Sequence, residues 1–344
     1  MTDPQWNELK AVVNGELLSP LPVGFIIDSP WLPNWYGVSI LDYFSSDRMW
    51  LEANLKANAE FSDVLFLPGF WAEYGMSGEP SAFGARPAFP ANEFPHAFPC
   101  ITSPEQIRDL AVPDPEKDGL GPLMLNRLKL NQPEIEAAGH RIRFSVSRGP
   151  LNIASYLMGT TDFLMAMMTH PTEIHLLIRK ITDYLRDFHD HQKQLFPSIE
   201  GILLLDDLIG FISREQFKEF GQPYFTELFD RDLPVRFLHN DASCKESAEF
   251  LPDLGVNLFN MGFDTDLDQL RQITRHQVTM LGNIPPRDVL AAGSPDQVRE
   301  ATLHLLNALS DHRHVIFSCG GGMPPGVSSE NLAIFIDTVK HFRS

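Results

Sequence analysis

The chain has 344 residues, of which 43% are apolar, enough to bury a sizeable core and to exclude intrinsic disorder. Its formal net charge of −18 has the wrong sign for nucleic acid or an anionic membrane surface. Neither a transmembrane-length apolar run nor a signal-peptide core stands out, and three cysteines, Cys100, Cys244 and Cys319, are too few and too odd for a disulfide framework. These features point to a cytoplasmic protein with free thiols and leave each cysteine open as core filler, nucleophile or metal ligand.

Along the chain, short apolar, β-branched runs alternate with longer amphipathic stretches, the pattern of parallel strands with crossover helices. Strands are expected at 23–28, 63–69, 141–147, 201–207, 235–241, 257–261, 278–283 and 314–319. Eight such units predict one (β/α)8 barrel occupying residues 1–344, with an N-terminal extension. Residues 70–122, rich in Gly, Pro and Phe, read as a long early excursion with one hairpin, of the kind that forms lids or pocket walls. Among the helices, Ile174, Leu177, Ile178, Ile181, Leu185 and Phe188 recur at helical spacing. Ser213 with Gln216 reads as a capping box, and Ser294-Pro295 as a cap followed by a first-turn proline. A last helix starts near Ser328.

The strand ends carry the candidate chemistry. Asp28 ends the first, Ser147 and Arg148 the third, Asp206 and Asp207 the fourth, and His239 and Asp241 the fifth. The sixth ends near Asn260, the seventh at Asn283 and the eighth at Cys319. In a barrel these ends converge on one face. His239 and Asp241, two apart on a strand, point to the same side, which suits a metal or a base with its orienting acid. Cys319 adds a thiol at a glycine-lined strand end, so that His239, Asp241 and Cys319 form a candidate zinc triad with an open position. Of the neighbours Asp206 and Asp207, one faces the barrel interior as a proton-handling carboxylate and the other the helix layer. Gly320 and Gly321, together with Asn283, are candidate cofactor contacts, the glycines as an anion cradle. Asp28, Glu73, Tyr74, Glu79 and Arg148 are candidate pocket residues, with Glu73 and Glu79 as wall or further ligand.

The segments "RGPLNIASYLMGTTDFLMAMMTHP", "LLLDDLIGFISREQFKEFGQPYF", "NLFNMGFDTDL", "VTMLGNIPP" and "SCGGGMPPGVSSENL" resemble the uroporphyrinogen decarboxylase superfamily, from about residue 141 to the end. The resemblance implies a (β/α)8 barrel and one of two activities. The porphyrin decarboxylases carry an arginine-rich segment after the first strand; here it reads "IIDSPWLPNWYGV", without arginine. The other branch, the cobalamin-dependent methyltransferases similar to methylcobalamin:coenzyme M methyltransferase, holds zinc with a His-x-Cys pair and a distant Cys. His239 and Cys319 match, whereas Asp241 replaces the middle cysteine, and Cys244 has the wrong spacing. The expectation is therefore a zinc-dependent methyltransferase acting between a small, possibly O-methyl, substrate and a corrinoid on a partner protein. A metal-free decarboxylase or lyase and a non-catalytic partner of a corrinoid protein are the alternatives.

Overall fold

The computed structural model describes residues 1–27 and 30–343; the candidate pocket residue Asp28 lies outside them. Eight parallel strands run through the described residues: β1 (Gly24–Ile26), β2 (Leu65–Leu67), β3 (Phe144–Arg148), β4 (Gly201–Leu205), β5 (Val235–Asn240), β6 (Leu258–Met261), β7 (Thr279–Ile284) and β8 (Val315–Cys319). All eight fall inside or within a residue of the expected segments. β3 to β8 form one continuous parallel sheet in chain order, and β1 pairs with β2. A parallel bridge between Val23 and Phe317 joins β1 to β8. Between β2 and β3 no strand ladder forms among the described residues. Instead the backbone of Met1 bonds to Arg141, ahead of β3, and lies against Gly69, after β2.

Strand side chains alternate between two apolar clusters, as a sheet covered on both faces requires. Phe144, Val146, Leu203, Leu205, Phe237, Leu281 and Ile316 fill the barrel interior. Ile202, Leu204, Leu238, Phe259, Met280, Val315 and Phe317 pack outward with the helices. The helix Asp3–Val13 starts at a Thr2–Gln5 capping box and sends Trp6, Leu9, Val12 and Val13 into the interior cluster. Trp6 meets Phe144 edge-on, 5.5 Å between ring centres. This helix closes the N-terminal end of the barrel.

The long helix Pro171–Leu195 buries the stripe from Ile174 to Phe188, and the capping boxes at Ser213 and Ser294 are both formed. The last helix is Ser329–Lys340. In the excursion, Arg86–Ala88 pairs antiparallel with His96–Phe98, the hairpin expected there. No helix is long and apolar enough to cross a membrane.

Candidate active site

β4 and β5 run side by side with Leu205 opposite His239, and β6 continues the register with Asn260 opposite His239. Just past the end of β4, Asp207 turns toward β5 and accepts the backbone N–H of Asp241 on Oδ1 at 2.7 Å. One ligand atom each from Asp207, His239 and Asp241 lies within 4.8 Å of the others. His239 is buried, Asp207 half-buried and Asp241 exposed at the rim.

The histidine is held from behind. Nδ1 lies 2.7 Å from Oδ1 of Asn260, whose amide nitrogen donates to the carbonyl of Leu281. That second bond orients the amide, so Nδ1 carries a proton and Nε2 faces the carboxylates, 3.4 Å from Asp241 Oδ1. Burial alone would lower the His239 pKa, but the Asp241 charge outweighs it and raises it to about 9. Burial likewise opposes ionisation of Asp241, and the His239 charge outweighs it and holds that carboxyl below its ordinary value.

The glycine run has a local cause. Gly322 N–H donates to Asp241 Oδ1 at 3.2 Å. Gly321 has φ +72°, and a Cβ there would overlap the Asp241 carboxylate. The anion that this loop cradles is thus the protein's own Asp241. Asn283 does not reach His239; its amide bonds the Thr265 carbonyl in a neighbouring cavity.

Cys319 corrects the sequence-based triad. On β8 it shares the outward face with Val315 and Phe317, while Ile316 points inward. It is fully buried, its Sγ lies 3.7 Å from the Gly321 carbonyl, and it is not among the three clustered ligand residues. The three grouped ligand atoms come from Asp207, His239 and Asp241, so that Asp207 stands where the sequence had placed Cys319. Cys244 is also buried, which pushes its thiol up to about 11.

The two adjacent aspartates divide as expected, with Asp207 on the cavity side. Asp206 is fully buried, and its carboxylate accepts N–H bonds from Leu151, Asn152 and Leu208 at 2.9–3.2 Å. It caps the helix Pro150–Met158, and Gly149 leaves room for it, since a Cβ there would overlap the carboxylate. Burial raises its pKa to about 8, against the pull of these backbone donors. In this structure Asp206 is thus engaged as a helix cap, while Asp207 is the member of the candidate catalytic pair that lines the cavity.

A cavity of about 190 Å³ opens above the cluster, walled by Trp71, Glu73, Phe94, Arg148, Asn152 and Tyr156. Arg148 and Glu73 form a buried ion pair at 2.7 Å, with the guanidinium 5.8 Å from the Trp71 ring. Glu79 sits behind it and accepts the Arg148 backbone N–H at 2.8 Å. Burial opposes the Arg148 charge, but Glu73 and Glu79 outweigh it and keep the group cationic. Tyr74 lies outside the cavity wall, its ring 5.8 Å from that of Phe44. A second cavity of about 280 Å³ adjoins the first at Pro30 and Asp241. Sequence reasoning missed Asn152, Tyr156 and Arg287 as lining residues and Asn260 as the histidine's support. Only Asn260, at a strand end, left a trace.

A model of the family described as Uroporphyrinogen decarboxylase (URO-D) matches residues 36–342. The uroporphyrinogen decarboxylase of Chloroherpeton thalassium is 24% identical over 299 residues, covering 83% of this chain and 79% of that protein. That of Pseudomonas putida strain F1 is 25% identical over 300 residues, covering 83% and 78%. Among solved structures, a methyltransferase from Methanosarcina mazei superposes with a TM-score of 0.81 at 15% identity, covering 99% of both chains. A B12-independent methionine synthase from Shewanella sp. W3-18-1 gives 0.57 at 10% identity over 93% and 95%. At such identities the structural matches establish the fold alone, a barrel shared with methyltransferases, while the sequence match spans nearly the whole chain: the protein belongs to the uroporphyrinogen decarboxylase family.

Proposed function

We propose that the protein is a zinc-dependent methyltransferase that moves a methyl group between a small substrate and a corrinoid carried by a partner protein. The observation that carries this reading is the convergence of Asp207, His239 and Asp241 ligand atoms at the base of a cavity at the strand ends. One imidazole and two carboxylates fit a catalytic zinc site, which takes three protein ligands and keeps a position open. When bound, the ion supplies Lewis-acid activation of the atom that carries or receives the methyl group. The likeness of the fold to a methyltransferase supports the reading.

The chain's own residues prepare the site. Asn260 fixes the His239 tautomer so that Nε2 is presented. Gly322 N–H and the Asp241 N–H hold the two carboxylates in place. The Arg148–Glu73 pair and Trp71 form a stiff wall that limits water and orients a small molecule toward the cluster.

A metal-free decarboxylase is the second reading, favoured by the names of the curated relatives and by an imidazole raised to about 9, able to donate a proton. Against it, Glu73, Asp207 and Asp241 line the cavity with only Arg148 and His239 as possible cations, a poor match to a substrate with many carboxylates. Purified protein expressed with zinc is expected to hold one ion per chain and, supplied with a small phenolate or thiolate acceptor, to transfer the methyl of free methylcobalamin to it, leaving cob(I)alamin, which is followed by its visible spectrum. Metal-free protein that decarboxylates uroporphyrinogen III would overturn the assignment.

A further inference from the structure

The second cavity, of about 280 Å³, is lined by Pro286, Pro324, Pro325 and Met323, with Phe263 and Arg287 on its walls and Asp241 where it meets the first. Two of its backbone donors are already engaged. The N–H of Gly320 is committed to the Ile284 carbonyl and that of Gly322 to Asp241. Among the side chains that line it, the exposed Arg287 guanidinium is the cationic donor; among the described residues it has no hydrogen bond or ion pair, and it acts on Asp241 only through its field. Phe263 is 52% exposed, unusual for a large ring at a cavity wall. A cavity whose prolines and methionine stand beside one cationic fork and one open ring face suits an equally asymmetric ligand.

We propose that this cavity binds a small aromatic monocarboxylate, with the carboxylate on Arg287 and the ring against Phe263. A guanidinium matches a carboxylate with two parallel N–H donors, and an offset ring pair adds the apolar contact. Because the two cavities share Pro30 and Asp241, the far end of such a ligand points toward the His239 cluster. The inference rests on the reading above in one respect only, that this ligand is the methyl substrate.

The test is calorimetric titration of the zinc-supplied full chain with benzoate, benzamide and acetate. Benzoate is expected to bind at least about tenfold more tightly than either control, the scale of a hydrogen bond to a charged group. Arg287→Gln should abolish the preference over benzamide and Phe263→Ala the preference over acetate, with circular dichroism unchanged in both. Equal affinity for benzoate and benzamide, a preference that survives Arg287→Gln, or no benzoate binding at all overturns the proposal. Zinc content and methyl exchange on the same preparations separate the two ideas. Benzoate binding without zinc or exchange sinks only the methyltransferase reading, whereas zinc and exchange without benzoate binding sink only this one.

Discussion

His239 Nδ1 meets Asn260 Oδ1 at 2.7 Å, across the β5–β6 ladder, and the Asn260 amide is itself anchored to Leu281. Removing that support should loosen the ring without unfolding the barrel. Asn260→Ala is expected to weaken metal binding by about 10–100-fold, the usual cost of losing a ligand's outer support. Competition titration against a chelating dye measures it, and an unchanged affinity would show that Asn260 does not orient the ligand.

The ligand set itself is separable. Asp207→Ala, His239→Ala and Asp241→Ala should each copurify with little metal and keep their circular dichroism, since the barrel rests on its apolar core. Cys319→Ala should retain its metal, because Cys319 is not among the three clustered ligand residues. Elemental analysis decides between this set and the His239–Asp241–Cys319 triad; a metal-free Cys319→Ala would restore the thiol as ligand.

Proton competition sets a pH dependence. A metal needs unprotonated Nε2, while in the metal-free protein His239 stays protonated to about 9. Apparent affinity should therefore rise with pH, about tenfold per unit, until it levels off at about 9, with a proton released per ion bound. The stability sign is the opposite. A raised histidine pKa stabilises the metal-free fold below the unfolded value, and that contribution is lost as pH climbs through about 9. Affinity that stays flat across this window would remove His239 from the ligands.

Asp206 should matter to folding and little to metal. Asp206→Ala strips an acceptor from three buried N–H groups and is expected to cost about 2–4 kcal/mol in urea unfolding, with metal content unaltered. Asp206→Asn, which keeps an acceptor oxygen, should lose less. Full stability in the alanine variant would contradict the capping role.

Gly321→Ala puts a methyl group into the space of the Asp241 carboxylate, at a φ of +72° that alanine disfavours. We expect weakened metal binding, read by the same dye titration, from a change at a residue that offers no ligand atom. Wild-type affinity in this variant would mean the loop does not position Asp241.

The strands and the helix caps were legible because they depend on local order: apolar runs, Ser213 with Gln216, Ser294 with Pro295. Which side of a strand faces inward was harder. β8 is buried on both faces, so no polar alternation marks the parity that turns Cys319 outward and Ile316 inward. The same ambiguity left Asp206 and Asp207 unassigned until the helix Pro150–Met158 supplied the donors that claim Asp206. The Arg148–Glu73 pair joins residues 75 apart in the chain, and no local pattern announces it.

The helix Asp3–Val13 makes the barrel a well instead of a pipe. With Trp6, Leu9 and Val12 packed at its lower end, the His239 cluster opens toward the strand-end cavity, where arriving and departing molecules meet. A bulky visitor at the rim, where Asp241 and Phe263 stand, therefore also acts as a stopper. A ligand seated there would stand directly over the His239 cluster.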